Sequence, residues 1–230
     1  MTSGELELSS KPEELIKGDH SEGCSALLIR NFIPFDKAQE FFEEILKSPD
    51  WMQEEISMYG KTSLLPRQTA WYNESGETYT YSGIKSKVNS WPQSGALAQI
   101  RKLVQEYTNT KFNSVLVNRY RSGDDHLAWH SDDEVELGDD PVIASISLGA
   151  TRDFFIRYKK RVEWSEEEKE IVWPHGPTQA ISLSSGTLLV MSGKTQKLWE
   201  HSVPKRKRTK QERVNLTFRL FISRDENEHL

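Results

Sequence analysis

The chain has 230 residues, 36% of them hydrophobic, with seven Trp and seven Tyr, enough for one sizeable core with modest appendages. Its formal net charge of −5 excludes a protein that grips nucleic acid through global positive charge, so any phosphate contact has to come from local basic patches. A lone cysteine, Cys24, excludes an internal disulfide, and neither a secretory signal nor an apolar run of membrane-spanning length occurs. The expectation is a monomeric, intracellular protein with no membrane partner.

Residues 1–23 mix Ser, Glu, Lys and Gly, which predicts a mobile tail, because so little apolar surface does not offset the entropy of ordering. A single domain is expected over 24–225, its fold starting near Ala26, with 226–230 as a second tail. Asp36 is predicted to cap a helix whose Ala38, Phe41, Phe42, Ile45 and Leu46 share one face. Leu97, Ile100, Leu103, Val104 and Tyr107 repeat that spacing in a second helix. From Phe112 onward the texture becomes short β-rich runs: Val115–Tyr120, Val142–Leu148, Phe154–Tyr158, Ala180–Leu183, Thr187–Met191 and Arg213–Ser223. The predicted class is mainly β with flanking helices, a sandwich or jelly roll. Residues 159–177, with Trp164 and Trp173, read as a charged surface excursion.

In the last run, strand alternation places Arg213, Asn215, Thr217, Arg219 and Phe221 on one face and Val214, Leu216, Phe218, Leu220 and Ile222 on the other. The polar face either looks into bulk water or lines a half-open barrel that binds an anion, and alternation alone leaves both open.

His130 and Asp132 are two residues apart, so on an extended segment both project to one side. Two imidazoles and one carboxylate with open positions form the facial triad of non-haem iron(II) oxygenases. His201, in Trp199-Glu200-His201-Ser202-Val203-Pro204, is the preferred third ligand. The competing readings are a surface histidine beside acids, or a helical zinc pair of His126 and His130. The zinc pair lacks a catalytic Glu between its histidines, and Gly123, Asp124 and Asp125 favour a turn there. His20 and His229 fall in the expected tails and His175 in the excursion.

Taken in order, Asn118-Arg119-Tyr120, His130-Ser131-Asp132-Asp133-Glu134, His201-Ser202-Val203-Pro204 and Arg213-Val214-Asn215-Leu216-Thr217-Phe218-Arg219 resemble the AlkB family of nucleic-acid dealkylating dioxygenases. The resemblance runs from about Ser57 to Ser223. It implies a double-stranded β-helix holding Fe(II) between His130, Asp132 and His201, with 2-oxoglutarate and dioxygen as cosubstrates. It further implies that Asn118, Tyr120, Arg213, Asn215 and Arg219 hold the 2-oxoglutarate. That agrees with the polar strand face, since a dicarboxylate in a low-dielectric cavity needs guanidinium partners. The implied chemistry couples decarboxylation of 2-oxoglutarate to hydroxylation of an alkyl carbon on a base nitrogen, after which aldehyde leaves and the base is restored.

A base extruded into such a barrel needs stacking and edge-reading groups. Tyr79, Tyr81 and Ser82 match the family's base-pocket segment within a lid expected around 55–90, with packing between strands as the alternative for the tyrosines. Glu134 is the candidate reader of an exocyclic group, and Asp133 either steadies an arginine or is solvated. Arg67 resembles the lid that precedes the pocket, a surface ion pair being its alternative. Tyr59, in Met58-Tyr59-Gly60, is a candidate wedge or a plain hairpin residue. Lys205, Arg206, Lys207 and Arg208, with Lys210, are candidate phosphate contacts, or else a solvated loop or a nuclear-import signal.

The leading reading is repair of alkylated DNA, RNA or both. Hydroxylation of a protein or small molecule on this scaffold leaves the basic loop and paired tyrosines without a role. A non-catalytic base-binding module would not need the complete ligand set and the arginines. Location follows the source: nucleus in a eukaryote, cytoplasm otherwise.

Overall fold

The computed structural model describes residues 11–16, 23–48, 50–58, 61–76, 78, 80–81, 84–159, 163–165, 170–172 and 177–222. Two sheets face each other. The larger has eight strands in the order Glu13–Glu14, Cys24–Ile29, Thr187–Gly193, Ile143–Gly149, Arg213–Arg219, Ser114–Tyr120, Gln68–Asn73 and Val88–Asn89. All neighbours are antiparallel except the last pair. The smaller sheet runs Leu127–His130, Trp199–Val203, Arg152–Tyr158 and Gln179–Leu183. Short hairpins, Glu55–Met58 with Lys61–Leu64 and Thr80–Tyr81 with Ile84–Lys85, occupy the region expected as a lid, and a third pairs Glu163–Ser165 with Glu170–Val172 in the expected excursion. The predicted jelly-roll class is what is found.

Helix α1 (Phe35–Leu46) and helix α2 (Ala96–Thr108) cover the outer face of the large sheet, as their periodicity predicts. Ala38, Phe41 and Ile45 from α1, with Leu97, Ile100 and Val104 from α2, pack on Val115, Val117, Ala144, Ile146, Val214, Leu216 and Phe218. One predicted detail is corrected. The cap position of α1 falls to Pro34, and Asp36 lies in the first turn without capping a backbone N–H, where its charge faces the positive end of the helix dipole. The Glu44 carboxylate instead accepts the Ala96 N–H at the start of α2, at 2.7 Å, stapling the helices together. Gly95, at φ 87°, makes room for this, since any side chain there would run into the same carboxylate.

The expected mobile tail is corrected for Lys11–Ile16. Glu13–Glu14 pair with Leu27–Leu28, the Leu15 N–H donates to the Ala26 carbonyl at 2.8 Å, and Leu15 and Ile16 are buried. Two consecutive apolar residues at the end of a polar stretch are enough to anchor it on the sheet edge. They join the second core, between the sheets, where Leu28, Leu116, Tyr120, Ile143, Ile156, Leu183 and Trp199 meet.

The strand Arg213–Arg219 sits at the centre of the large sheet and is buried on both faces. Val214, Leu216 and Phe218 are fully buried under the helices, so alternation sends Arg213, Asn215, Thr217 and Arg219 into the space between the sheets. Leu220, past the end of the strand, is 43% exposed. Phe218→Ala is therefore expected to cost about 3–5 kcal/mol through the cavity it leaves. Leu220→Ala, on the same predicted face but past the strand's end, is expected to cost about 1 kcal/mol or less, with urea unfolding midpoints as the measurement; equal losses would contradict the burial of Phe218 and the exposure of Leu220.

Candidate metal and cosubstrate site

Between the sheets, at one end of the barrel, His130, Asp132 and His201 offer ligand atoms that all lie within 4.8 Å of one another. The strands Leu127–His130 and Trp199–Val203 put His130 directly opposite His201, with ring centroids 4.2 Å apart. His130 Nδ1 lies 2.9 Å from the Ala128 carbonyl oxygen. A carbonyl only accepts, so Nδ1 carries the proton and Nε2 is the nitrogen that could bind a cation. Phe154 stacks on His201 at 5.1 Å and an interplanar angle of 24°, fixing that ring. Asp132 is held by its backbone N–H, which donates to Gln196 Oε1 at 2.9 Å, and by Arg219 Nη2, which donates to Oδ1 at 2.6 Å.

The electrostatics suit a cation. Burial, reinforced by the neighbouring His130, pushes the His201 imidazole down to about 3, and burial likewise lowers His130. Both rings are neutral at pH 7, the form that ligates. Burial alone would raise the Asp132 carboxyl, but the Arg219 guanidinium and the two imidazoles outweigh it and hold it at about 2. The site thus presents two neutral nitrogens and one carboxylate with no proton to displace.

The pocket beside these ligands is lined by Arg67, Asn118, Tyr120, Arg213, Asn215 and Arg219, among others. Arg213 is 1% exposed, and Nη2 donates to Ser147 Oγ at 2.8 Å. Its Nε and Nη1, and the Tyr120 hydroxyl, have no partner of hydrogen-bonding geometry among the described residues, although the hydroxyl is near enough to favour the charged guanidinium. Burial still draws Arg213 down to about 10. Asn215 donates to Ser145 Oγ at 2.7 Å, and Arg67 Nε donates to Asn118 Oδ1 at 2.8 Å. Three buried arginines line this pocket with one buried carboxylate among them. Buried donors and excess positive charge of this kind are costly without an anion, so the lining fits a dicarboxylate.

The predicted metal and cosubstrate positions converge here together with Arg67, and the other predicted positions among the described residues do not. Arg67 is buried in the pocket wall, not in the surface ion pair that was its alternative. Glu134 lies in an adjoining depression with Asp133, Val135 and Lys197, and Asp133 is paired with Lys159 at 3.3 Å. Arg206 is tied down: Nε donates to Asp153 Oδ2 at 2.5 Å and its backbone N–H to the Gly123 carbonyl at 2.7 Å. Lys205, Lys207, Arg208 and Lys210 are exposed. His126 turns toward the Asp124 carbonyl and takes no part in the cluster. Tyr59, Tyr79, Ser82, His20, His175 and His229 lie outside the described residues, and of Tyr81 only the strand position is described. Sequence reading missed Gln196, Phe154, Ser145 and Ser147. The serines carried a signal, alternating two apart in a predicted strand; Gln196 carried none.

An antiparallel strand pair that sets two imidazoles, with a carboxylate just beyond one strand, beside an arginine-lined pocket defines the class of iron- and 2-oxoglutarate-dependent oxygenases. The model of the 2OG-Fe(II) oxygenase superfamily matches residues 25–219. The Arabidopsis thaliana DNA oxidative demethylase ALKBH2 is 37% identical over 215 residues, covering 89% of this chain and 68% of that protein. The Bos taurus alpha-ketoglutarate-dependent dioxygenase alkB homolog 3 is 39% identical over 193 residues, covering 84% of this chain and 64% of that protein. The human ALKBH2 is 37% identical, covering 89% of this chain and 80% of its own length. The structure of OsALKBH1 superposes with a TM-score of 0.54 at 17% identity, over 85% of this chain and 96% of that one, which shows the shared fold. The chain belongs to the 2OG-Fe(II) oxygenase superfamily and, within it, to the AlkB family. Its cofactor is Fe(II), with 2-oxoglutarate and dioxygen as cosubstrates.

The histidine shifts have a consequence for the metal-free protein. A histidine with a depressed folded value takes up its proton first in the unfolded chain, near pH 6.5, so its contribution is complete above that pH and declines as pH falls toward about 3. Asp132 adds a loss in the same direction at lower pH, as its folded value of about 2 is approached. The urea midpoint of metal-free wild type is expected to be lower at pH 5 than at pH 7.5, and His201→Gln to flatten that dependence. A midpoint that is unchanged or higher at pH 5 would contradict the buried neutral imidazoles.

Proposed function

We propose that this chain oxidatively dealkylates N-alkylated bases in DNA, RNA or both. The observation that carries the reading is the juxtaposition of His130, Asp132 and His201 with a pocket whose buried Arg213 donors await an anion. The relatives named as DNA oxidative demethylases support the substrate class.

In this reading His130, Asp132 and His201 hold Fe(II), and Asn118, Tyr120, Arg213, Asn215 and Arg219 hold 2-oxoglutarate. Arg219 is already bonded to Asp132, so it serves the metal end of the cosubstrate. Arg213, whose buried Nε and Nη1 have only the Tyr120 hydroxyl nearby and no partner of hydrogen-bonding geometry among the described residues, takes the far carboxylate. When bound, iron, 2-oxoglutarate and dioxygen supply an oxidant that hydroxylates the alkyl carbon, yielding succinate and carbon dioxide, and the hemiaminal then releases aldehyde. The chain's own part is to orient these reactants and to keep water from the barrel. Leu116, Phe154, Met191 and Val203 supply the apolar walls.

Arg67 and Glu134, with Tyr59, Tyr79, Tyr81 and Ser82 of the lid, are the proposed contacts to the flipped base. Lys205, Lys207 and Arg208 are the proposed phosphate contacts, with Arg206 serving mainly to brace their loop against Asp153. No helix among the described residues is long and apolar enough to cross a membrane. Cys24 is the single cysteine of the sequence and is buried, which fits a reducing compartment, and we place the protein inside the cell, acting as a monomer.

The experiment is an anaerobically iron-loaded reaction started by admitting oxygen, with methylated single-stranded DNA, duplex DNA and RNA compared. Wild type is expected to release formaldehyde and succinate in equal amounts and to restore the base, while His130→Ala falls to background. Base restoration by His130→Ala at the wild-type rate would defeat the proposal, as would succinate formed by wild type without formaldehyde on every substrate.

A further inference from the structure

Arg152 opens the strand Arg152–Tyr158 and is only 2% exposed. It forms no ion pair among the described residues. Nη1 donates to the Ser122 carbonyl at 3.0 Å, and Nη2 donates to the carbonyls of Asp125 at 2.9 Å and Pro204 at 2.8 Å. The Asp125 carboxylate is itself taken by Arg121, at 2.8 and 2.9 Å. Burying a guanidinium against neutral carbonyls is expensive compared with an apolar side chain of similar volume. Packing alone therefore does not account for an arginine at this place.

The three carbonyls lie where the ligand strands need support. Ser122 and Asp125 lead into Leu127–His130, and Pro204 directly follows Trp199–Val203. Leu127 pairs with Val203 and His130 with His201, which leaves one extra residue on the His130 strand, a bulge between the two pairs. A bulge re-aims side chains and interrupts the ladder that would otherwise fix register. A slip of one residue would turn His130 to the outer face of the sheet. That face is where Trp129 now packs on Phe155, with ring centroids 6.4 Å apart, and lies 3.6 Å below the Arg157 guanidinium. Arg152 also lies 5.5 Å from the centroid of the Tyr120 ring, to which Arg213 approaches within 5.2 Å. One side chain thus touches the ends of both ligand strands and a wall of the cosubstrate pocket.

We propose that Arg152 is a positioning residue: its clamp on the carbonyls of Ser122, Asp125 and Pro204 sets the register that brings His130 opposite His201. The proposal rests on reading those histidines as metal ligands. Gly123 belongs to the same device. Its carbonyl accepts from the Arg206 N–H and its N–H donates to the Thr209 carbonyl at 2.8 Å, an approach too close for any Cβ. The turn is thereby pressed against the segment that follows His201.

Co(II) titration is the test, because its visible absorption reports ligand geometry without turnover. Folding of each variant is checked by circular dichroism. Arg152→Met is expected to lose about 10–100-fold in Co(II) affinity, the usual effect of removing a group that orients ligands, and to change the visible spectrum. Arg152→Lys, which keeps the charge but not the fork, is expected to restore part of both. Arg157→Met, on the outer face, is expected to leave both unchanged. Folded Arg152→Met with wild-type affinity and spectrum would overturn the proposal. Failure of both Arg152 variants to fold would also overturn it, making the residue a requirement of the fold. Wild-type Co(II) binding that is unaffected by His130→Ala and His201→Ala would instead sink the ligand assignment itself.

Discussion

A buried ion pair joins the two sheets. Arg219, on the central strand of the large sheet, donates to Asp132, just beyond a strand of the small one, at 2.6 Å with both side chains almost wholly buried. Such a pair is a poor source of stability, since desolvating two charges roughly cancels their attraction. What it does here is geometric and electrostatic. It fixes one carboxylate oxygen, keeps the group ionised although burial opposes this, and ties the candidate metal ligands to the strand that carries the candidate cosubstrate residues.

The strand Arg213–Arg219 explains how much of this was legible in advance. Its alternation separated Val214, Leu216 and Phe218 from Arg213, Asn215, Thr217 and Arg219, and the structure seats the first set beneath the helices and the second in the pocket. Alternation could not say whether the polar set met water. That depends on the opposing sheet, which is a long-range matter. Once Leu127–His130 and Trp199–Val203 are placed across the gap, the polar set is buried and its arginines outnumber the one carboxylate among them. The helical periods of α1 and α2 were legible for the same local reason.

The features that were not legible depend on contacts distant in sequence. Gln196 reaches the Asp132 backbone from 64 residues away, Arg152 gathers carbonyls from both sides of its own strand, and Leu15 and Ile16 find the core from an otherwise polar stretch. Nothing in local spacing marks these residues. The bulge before His130 is likewise invisible to a rule of strict alternation, although it decides which way the imidazole faces. The base-contact segment belongs with these. Arg67 could be placed, because it reaches Asn118 in the barrel wall, whereas the family resemblance alone carries the tyrosines.

The two sheets divide the labour. The small sheet presents His130 and His201, with Asp132 just past one strand, and the large sheet presents Arg213, Asn215 and Arg219 from a single strand. That division requires one ion and one dicarboxylate to occupy the space between them together. The most direct measurement is anomalous diffraction from crystals grown with Mn(II) and 2-oxoglutarate in the absence of oxygen. The account predicts one ion bonded to His130 Nε2, an Asp132 oxygen and the His201 imidazole, with the dicarboxylate reaching Arg213. An ion bound elsewhere, or a dicarboxylate that leaves the Arg213 donors unmet, would contradict it.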